Sequence, residues 1–459
     1  SPDTLRFIWF HIWPNAYKND KTAFTDQDLE NGDTRFYFSD NDERGYINRL
    51  DFRVNDQVAE MEDHPQHIDI VKVLLPSPLA PGQTITLTTP FHIKLPFNFS
   101  RGGHDGESYQ VTQWFPKPAV YDKDGWHPMP YLSQGEYYSE FGNFDVSITV
   151  PDNYVVAATG DLQNESEKQW LLTRSTFEWK PTKQKVKQKG GSYKTIIQKY
   201  PASSARTKTV RFIQERVHDF AWFADKRFIV KQDTCQLSSG RTIDVFSYYT
   251  PAFSKEWKNS LQFAKDAVRM RSNWIGEYPF NTVRVVQGPA SFGGGMEYPT
   301  ITVISPQENE QLLDFTISHE IGHNWFYGIL GSNERKYPWL DEGLNTYYDN
   351  KYSRWKYPDG EIKIGGAHVR IADLERVALE TQAATRRDQP INTSSTDFSV
   401  MNYNLIAYYK AGAWLEYAGT VLGEDVVDSA LRHYYRLSAL YSAWSTRGKN
   451  ASFPIVGAE

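Results

Sequence analysis

The segment His319-Glu320-Ile321-Gly322-His323 constrains what this chain can form more than any other. Its flanks, DFTIS before it and NWFYGIL after it, have the apolar spacing of a buried helix. Residues four apart on a helix share a face, so His319 and His323 aim two imidazole nitrogens at one point, an arrangement that a zinc ion accepts at roughly 2.0–2.1 Å. Glu320 then sits beside the metal rather than on it. A reactive zinc site takes a third protein ligand and keeps one position open for water. Glu342 is the candidate, because the 18 residues between His323 and Glu342 leave room for the helix to end, a loop with Gly328, Gly331 and Pro338, and a second helix from about Trp339. Asp349 follows seven residues later, two turns along the same face, where it can orient a ligand imidazole through its other ring nitrogen. One zinc ion per chain is the expected cofactor.

The rest of the chain frames this motif. At 459 residues it exceeds the size of a single core, so two domains are expected. A net charge of -6, not gathered into one block, favours neither nucleic acid nor an anionic membrane as partner. Cys235 is the only cysteine, which excludes an intrachain disulfide and leaves it as a small buried hydrophobe. No run of 18 apolar residues exists, so no membrane span is expected. The opening residues SPDTLRFIWFHIWPNAY resemble the middle of a strand rather than a signal peptide, so the visible start is expected to be a truncated or processed end.

Up to about residue 230 the pattern is β, with short apolar and aromatic runs between Gly, Pro, Asn and Asp. In FDVSITVP, Phe144, Val146, Ile148 and Val150 alternate with Asp145, Ser147 and Thr149, the mark of a half-buried strand. The basic stretch at 180–199, broken by Gly190 and Gly191, reads as a solvated hairpin, and His64 and His67, with Pro65 between them, read as surface histidines. Beyond residue 250 longer helical periods take over. The expected organisation is α+β and multidomain: an N-terminal β domain over 1–232, and a mainly α domain with the zinc motif over 233–459, ending in a loose tail from SALYSAW onward.

With these residues in place the chain resembles the M1 family of metallopeptidases, the gluzincin aminopeptidases, and in particular its bacterial members. HEIGHNWFYGILGSNERKYPWLDEG reproduces the family's long zinc motif. Gly294-Gly295-Met296-Glu297-Tyr298 is similar to the family's G-x-M-E-N, with Tyr in place of Asn, and Tyr408-Tyr409-Lys410-Ala411 is similar to its Y-x-K-G. The resemblance implies an antiparallel, saddle-shaped β domain followed by a thermolysin-like catalytic domain; the family's helical C-terminal domain is not visible here. It also implies zinc-dependent removal of N-terminal residues from peptides. Glu320 is then the general base, Tyr408 the donor to the developing oxyanion, and Glu297 the anchor of the substrate's α-amine, with Gly294, Gly295 and Met296 lining the substrate's path. Many members place a Gln or Glu two residues after the Gln of a T-Q motif as a second amine anchor. Thr112-Gln113-Trp114-Phe115 puts Phe115 there, which leaves Gln113 to assist Glu297 and, with the C-terminal domain not visible, admits a metallo-endopeptidase or other open-cleft metallohydrolase as the alternative; a peptide-binding protein without activity is disfavoured by the retained ligands, Glu320 and Tyr408. A periplasmic or secreted bacterial setting is the accompanying expectation.

Overall fold

A computed structural model of the chain describes residues 3–187, 193–306, 309–359, 361–364 and 367–445. Period-two patterning produces the N-terminal half. In the strand Gly142–Pro151, Ile148 is buried, Phe144, Val146 and Val150 are half-buried, and Asp145, Ser147 and Thr149 are exposed, as alternation demands. It pairs antiparallel with Thr207–Val217, Ile148 opposite Val210. The opening strand Leu5–His11 lies between Ile70–Leu79 and Lys117–Pro118 in a four-stranded antiparallel sheet. A second four-stranded sheet takes Val155–Ala158, Trp222–Asp225, Ser108–Val111 and Gly103–Asp105 in that order. The basic stretch forms the antiparallel pair Thr182–Lys187 and Tyr193–Gln198; its Gly190-Gly191 tip lies outside the described residues.

The second half is built on a five-stranded mixed sheet in the order Ile229–Gln236, Thr242–Tyr249, Thr282–Gln287, Ile301–Ile304, Gly295–Tyr298. Thr282–Gln287 is buried along its whole length and runs parallel to both neighbours, as a central strand covered on both faces should. The crossover from Thr242–Tyr249 to Thr282–Gln287 contains the helix Ser260–Trp274, which buries Phe263, Ala264, Ala267, Val268 and Arg271, a stripe of helical period. The helix Glu310–Gly322 carries the zinc motif, and Glu342–Lys356 packs beside it. Helices Ala411–Leu422 and Glu424–Ser445 follow. The last of these turns Ser438–Ser445, expected as the start of a loose tail, into helix, because the period begun at Glu424 continues unbroken; 446–459 lie outside the described residues. Among the described residues no helix is long and apolar enough to cross a membrane. The α+β class expected from the patterning is the one the chain adopts.

The two halves share a hydrophobic core. Ile148, Val155, Val156, Ala157 and Phe223 from the first half pack in one cluster with Met296, Tyr298, Ile301, Val303 and Tyr327 from the second. This common core lets loops of the β half reach the metal motif.

Two buried histidines give the fold a pH dependence. His11 accepts from the Met129 N–H through Nε2, and burial, with Lys117 and Arg335 nearby, lowers its pKa to about 3. His218 lies among the rings of Tyr137, Phe141 and Tyr327, and burial together with Lys117 holds it well below its usual value. Both are therefore neutral in the folded state, whereas the unfolded chain protonates them below about pH 6.5. Their contribution to stability is complete above that pH and is lost as the pH falls, by up to about 1.4 kcal/mol per pH unit for each. Urea midpoints measured from pH 7.5 to 4.5 should fall less steeply for His218→Gln than for wild type; identical slopes would reject this account.

Candidate metal centre

The helix Glu310–Gly322 is started by Asn309, whose side chain accepts from the N–H groups of Gln311 and Leu312, and it runs into His323 at φ -64° and ψ -11°. Helical spacing thus extends across both histidines. After a 3₁₀ turn at Pro338–Leu340, Glu342 opens the next helix, where the N-terminal N–H dipoles favour a carboxylate. The second helix begins at Glu342, three residues beyond the expected Trp339, because Pro338 starts the 3₁₀ turn first.

Three ligand atoms converge. His319 Nε2 and His323 Nε2 lie 3.1 Å apart, and Glu342 Oε2 lies 3.3 and 3.4 Å from them. A tetrahedral ion with ligands at roughly 2.0–2.1 Å sets its donor atoms about 3.3 Å apart, so the triangle has the size of a zinc site. The outward ring nitrogens are already engaged: His319 Nδ1 with Asp349 Oδ2 and His323 Nδ1 with Asp341 Oδ1, each at 2.6 Å. Each Nδ1–H donates to a carboxylate, which turns both Nε2 lone pairs toward the Glu342 oxygen. Three acceptor atoms facing one another repel unless a cation lies among them, and the buried Glu342 Oε2 has no hydrogen-bond donor. The charge balance agrees. Against the opposing effect of burial, Asp349 and Glu342 raise His319 to about 10, while burial, overcome by His323 and His319, still leaves Glu342 below the usual carboxylate range. The cluster demands positive charge, and a zinc ion fits the donor set.

Asp349 itself is held by Arg271, a fully buried guanidinium that also donates to Ser318 O at 3.1 Å. Asp341, which does for His323 what Asp349 does for His319, was not singled out from the sequence. Its position next to a ligand in WLDEG was the only available sign.

A cavity of about 50 Å³ adjoins the ligands, walled by Glu320, Glu297, Met296, Gly295, Tyr408 and Glu136 among others. Glu297 lies on the edge strand Gly295–Tyr298, opposite Thr302, and one of its oxygens is within 4.8 Å of ligand atoms of Glu320 and His323. Burial and the neighbouring Glu320, partly offset by His323, hold Glu297 well above the usual carboxylate range. Burial likewise raises Glu320, whose Oε2 is buried without a partner. Gly295 is required for this approach: a Cβ there would sit 2.1 Å from Glu320 Oε1. Gly294 is a turn residue at φ +82° and does not line the cavity, so of the glycine pair only Gly295 does.

Tyr408 sits in a π-helical segment, Tyr403–Lys410, a widened turn that directs its hydroxyl inward to donate to Glu342 Oε1 at 2.6 Å. Its ring stacks on His319, whereas Tyr409 does not line the cavity.

The structure corrects the reading of the T-Q segment. Phe115 packs with Phe144 and Trp114 in the shared core, and Gln113 does not line the metal cavity. Gln113 instead donates from Nε2 to Glu136 Oε2 at 3.1 Å. Glu136 lines the metal cavity, where Phe115 does not. The sequence held the signal: Gln134-Gly135-Glu136 has the Gln-x-carboxylate spacing, but in a loop that lacks the Thr. The cavity also takes in Arg101, Glu334 and Tyr403, none of them singled out earlier.

Comparison with known proteins bears on this geometry. Residues 260–446 match the model of the peptidase family M1 domain. Aminopeptidase 2 of Candida albicans is 22% identical over 249 residues, covering 46% of this chain and 26% of that protein. Aminopeptidase B of Homo sapiens is 27% identical over 171 residues, 35% of this chain and 25% of that protein. The chain thus spans about a quarter of the length of these curated relatives. An M1 zinc metallopeptidase from Deinococcus radiodurans superposes with a TM-score of 0.56 at 17% identity, covering 100% of this chain and 89% of the other. Legionella pneumophila aminopeptidase A gives 0.55 at 13% identity, covering 86% and 41%. The long zinc motif and its two helices lie inside the segment, residues 260–446, that matches the peptidase family M1 domain, and the chain has the fold of the Deinococcus radiodurans M1 zinc metallopeptidase.

Proposed function

We propose that this protein is a zinc-dependent aminopeptidase that removes N-terminal residues from peptides. The observation that carries this reading is the pair of carboxylates, Glu136 and Glu297, walling the same small cavity as the metal ligands. Two carboxylates beside the metal suit an α-ammonium group, which favours an exopeptidase over an open-cleft endopeptidase. A Deinococcus radiodurans M1 zinc metallopeptidase of the same fold is known with a Tyr-Ser-Ala substrate bound.

Held by His319, His323 and Glu342, zinc would supply Lewis acidity, polarising the scissile carbonyl and making water a nucleophile near neutral pH. Glu320 accepts the proton from the attacking water and passes it to the departing amine. Burial has already raised its affinity for that proton. The Tyr408 hydroxyl, freed from Glu342, donates to the oxygen on which negative charge develops. Glu297 and Glu136 fix the α-ammonium, so only the first peptide bond reaches the reacting position.

The test compares peptides with free and with acetylated N termini. Acetylation replaces the ammonium by a neutral amide and removes the charge that Glu297 and Glu136 would bind, so kcat/KM is expected to fall at least about a hundredfold. Equal cleavage of both would overturn the aminopeptidase assignment.

A further inference from the structure

The Thr112-Gln113 pair, which does not touch the metal cavity, still has a distinctive environment. Thr112 Oγ1 donates to the Arg101 carbonyl at 3.0 Å, and Gln110 Nε2 donates to the same oxygen. The Arg101 backbone is thereby clamped while its guanidinium reaches the cavity wall. There Nε pairs with Glu136 Oε1 and Nη1 donates to Gly295 O at 3.3 Å, so one side chain ties the Glu136 loop to the strand that carries Glu297. The other Glu136 oxygen takes the Gln113 Nε2 donor. Gln113 is held at φ +50°, in the left-handed region that few residues other than glycine adopt. Strained backbone of this kind persists where surrounding structure over-determines it, and it clusters at functional sites. The Glu136 carboxylate, only 2% exposed, therefore has one fixed donor on each oxygen.

We propose that Arg101 and Gln113 are positioning residues that hold the buried Glu136 carboxylate, oriented and charged, to receive the substrate's α-ammonium. The inference rests on the aminopeptidase reading. Arg101 has a second consequence: its guanidinium interacts electrostatically with Glu297 as well as with Glu136. Without Arg101, Glu136 would protonate more readily, since burial already favours its neutral form and Arg101 is the largest opposing influence.

The experiment uses the zinc-loaded full chain and aminoacyl p-nitroanilides with free and acetylated amines. Arg101→Gln is expected to raise KM for the free-amine substrate on the order of tenfold or more, with kcat changed by less than about threefold and zinc content unchanged. The acid limb of kcat/KM should move to higher pH while that of kcat stays in place. Arg101→Lys, which keeps the charge but not the second donor, should recover part of the loss. Gln113→Asn tolerates the same backbone conformation but is too short to reach Glu136, so it perturbs folding least and should raise KM in the same direction. A wild type that cleaves acetylated substrate equally well overturns the aminopeptidase reading itself. A wild type that requires the free amine, with unchanged KM and pH profile in Arg101→Gln and Gln113→Asn, overturns the positioning role and leaves that reading standing.

Discussion

Glu320→Gln should lower kcat at least about a hundredfold while the protein keeps one zinc per chain, because removal of a general base costs on the order of 10²–10⁴ in rate. The structure gives the separation of effects its reason. Glu320 lies on the metal helix between the two ligands in sequence, yet the ligand atoms closest to one another belong to His319, His323 and Glu342. An amide is isosteric with the carboxylate, so the tight approach to Gly295 is kept and only proton affinity is lost. Metal analysis beside steady-state kinetics decides the matter. Full activity at full zinc occupancy would show that another group takes the proton.

Removing the metal should abolish activity and also destabilise the fold. Zinc ties the end of Glu310–Gly322 to the start of Glu342–Lys356, two helices that pack against each other in the catalytic half. Without it, the two imidazoles and the Glu342 carboxylate lose the cation that joins the two helices. A ligand present at a thousandfold its Kd contributes about 4 kcal/mol of stability, which corresponds to a Tm several degrees higher. Treatment with 1,10-phenanthroline should therefore lower Tm, and added zinc should restore both Tm and activity. An unchanged Tm in protein shown to be metal-free would contradict the structural part of this claim. Asp341→Asn tests the same centre from outside: it weakens the acceptor that orients His323, so zinc affinity should drop about 10–100-fold in competition titrations.

Much of the metal centre is legible in the sequence. His319, His323 and Asp349 could be placed because helical periodicity decides which side chains share a face, and that periodicity is local. Glu342 followed from the need for a third ligand and from a spacing long enough for a turn. In the strand Gly142–Pro151, alternation alone told which side chains face the core. What could not be read was the cavity wall contributed by the β half. Arg101, Gln113 and Glu136 lie in separate segments, and their meeting depends on how two sheets stack on the core shared with Met296 and Tyr298. No short-range pattern encodes such a closure, so the T-Q segment showed only Phe115 where many members have Gln or Glu, and Glu136 in the cavity wall went unnoticed.

The sequence by itself determined the metal chemistry, since the residue types and spacings of His319, Glu320, His323 and Glu342 admit few other uses. Only the tertiary structure decided the substrate-facing part: that Gly295 makes room for Glu320, that Asp341 orients His323, and that Arg101 and Gln113 hold Glu136 beside Glu297. The division has one physical cause. Ligands on one helix and the start of the next are related by backbone geometry over a few turns, whereas a cavity wall is assembled by burial, which draws distant segments together for reasons that lie in the whole core.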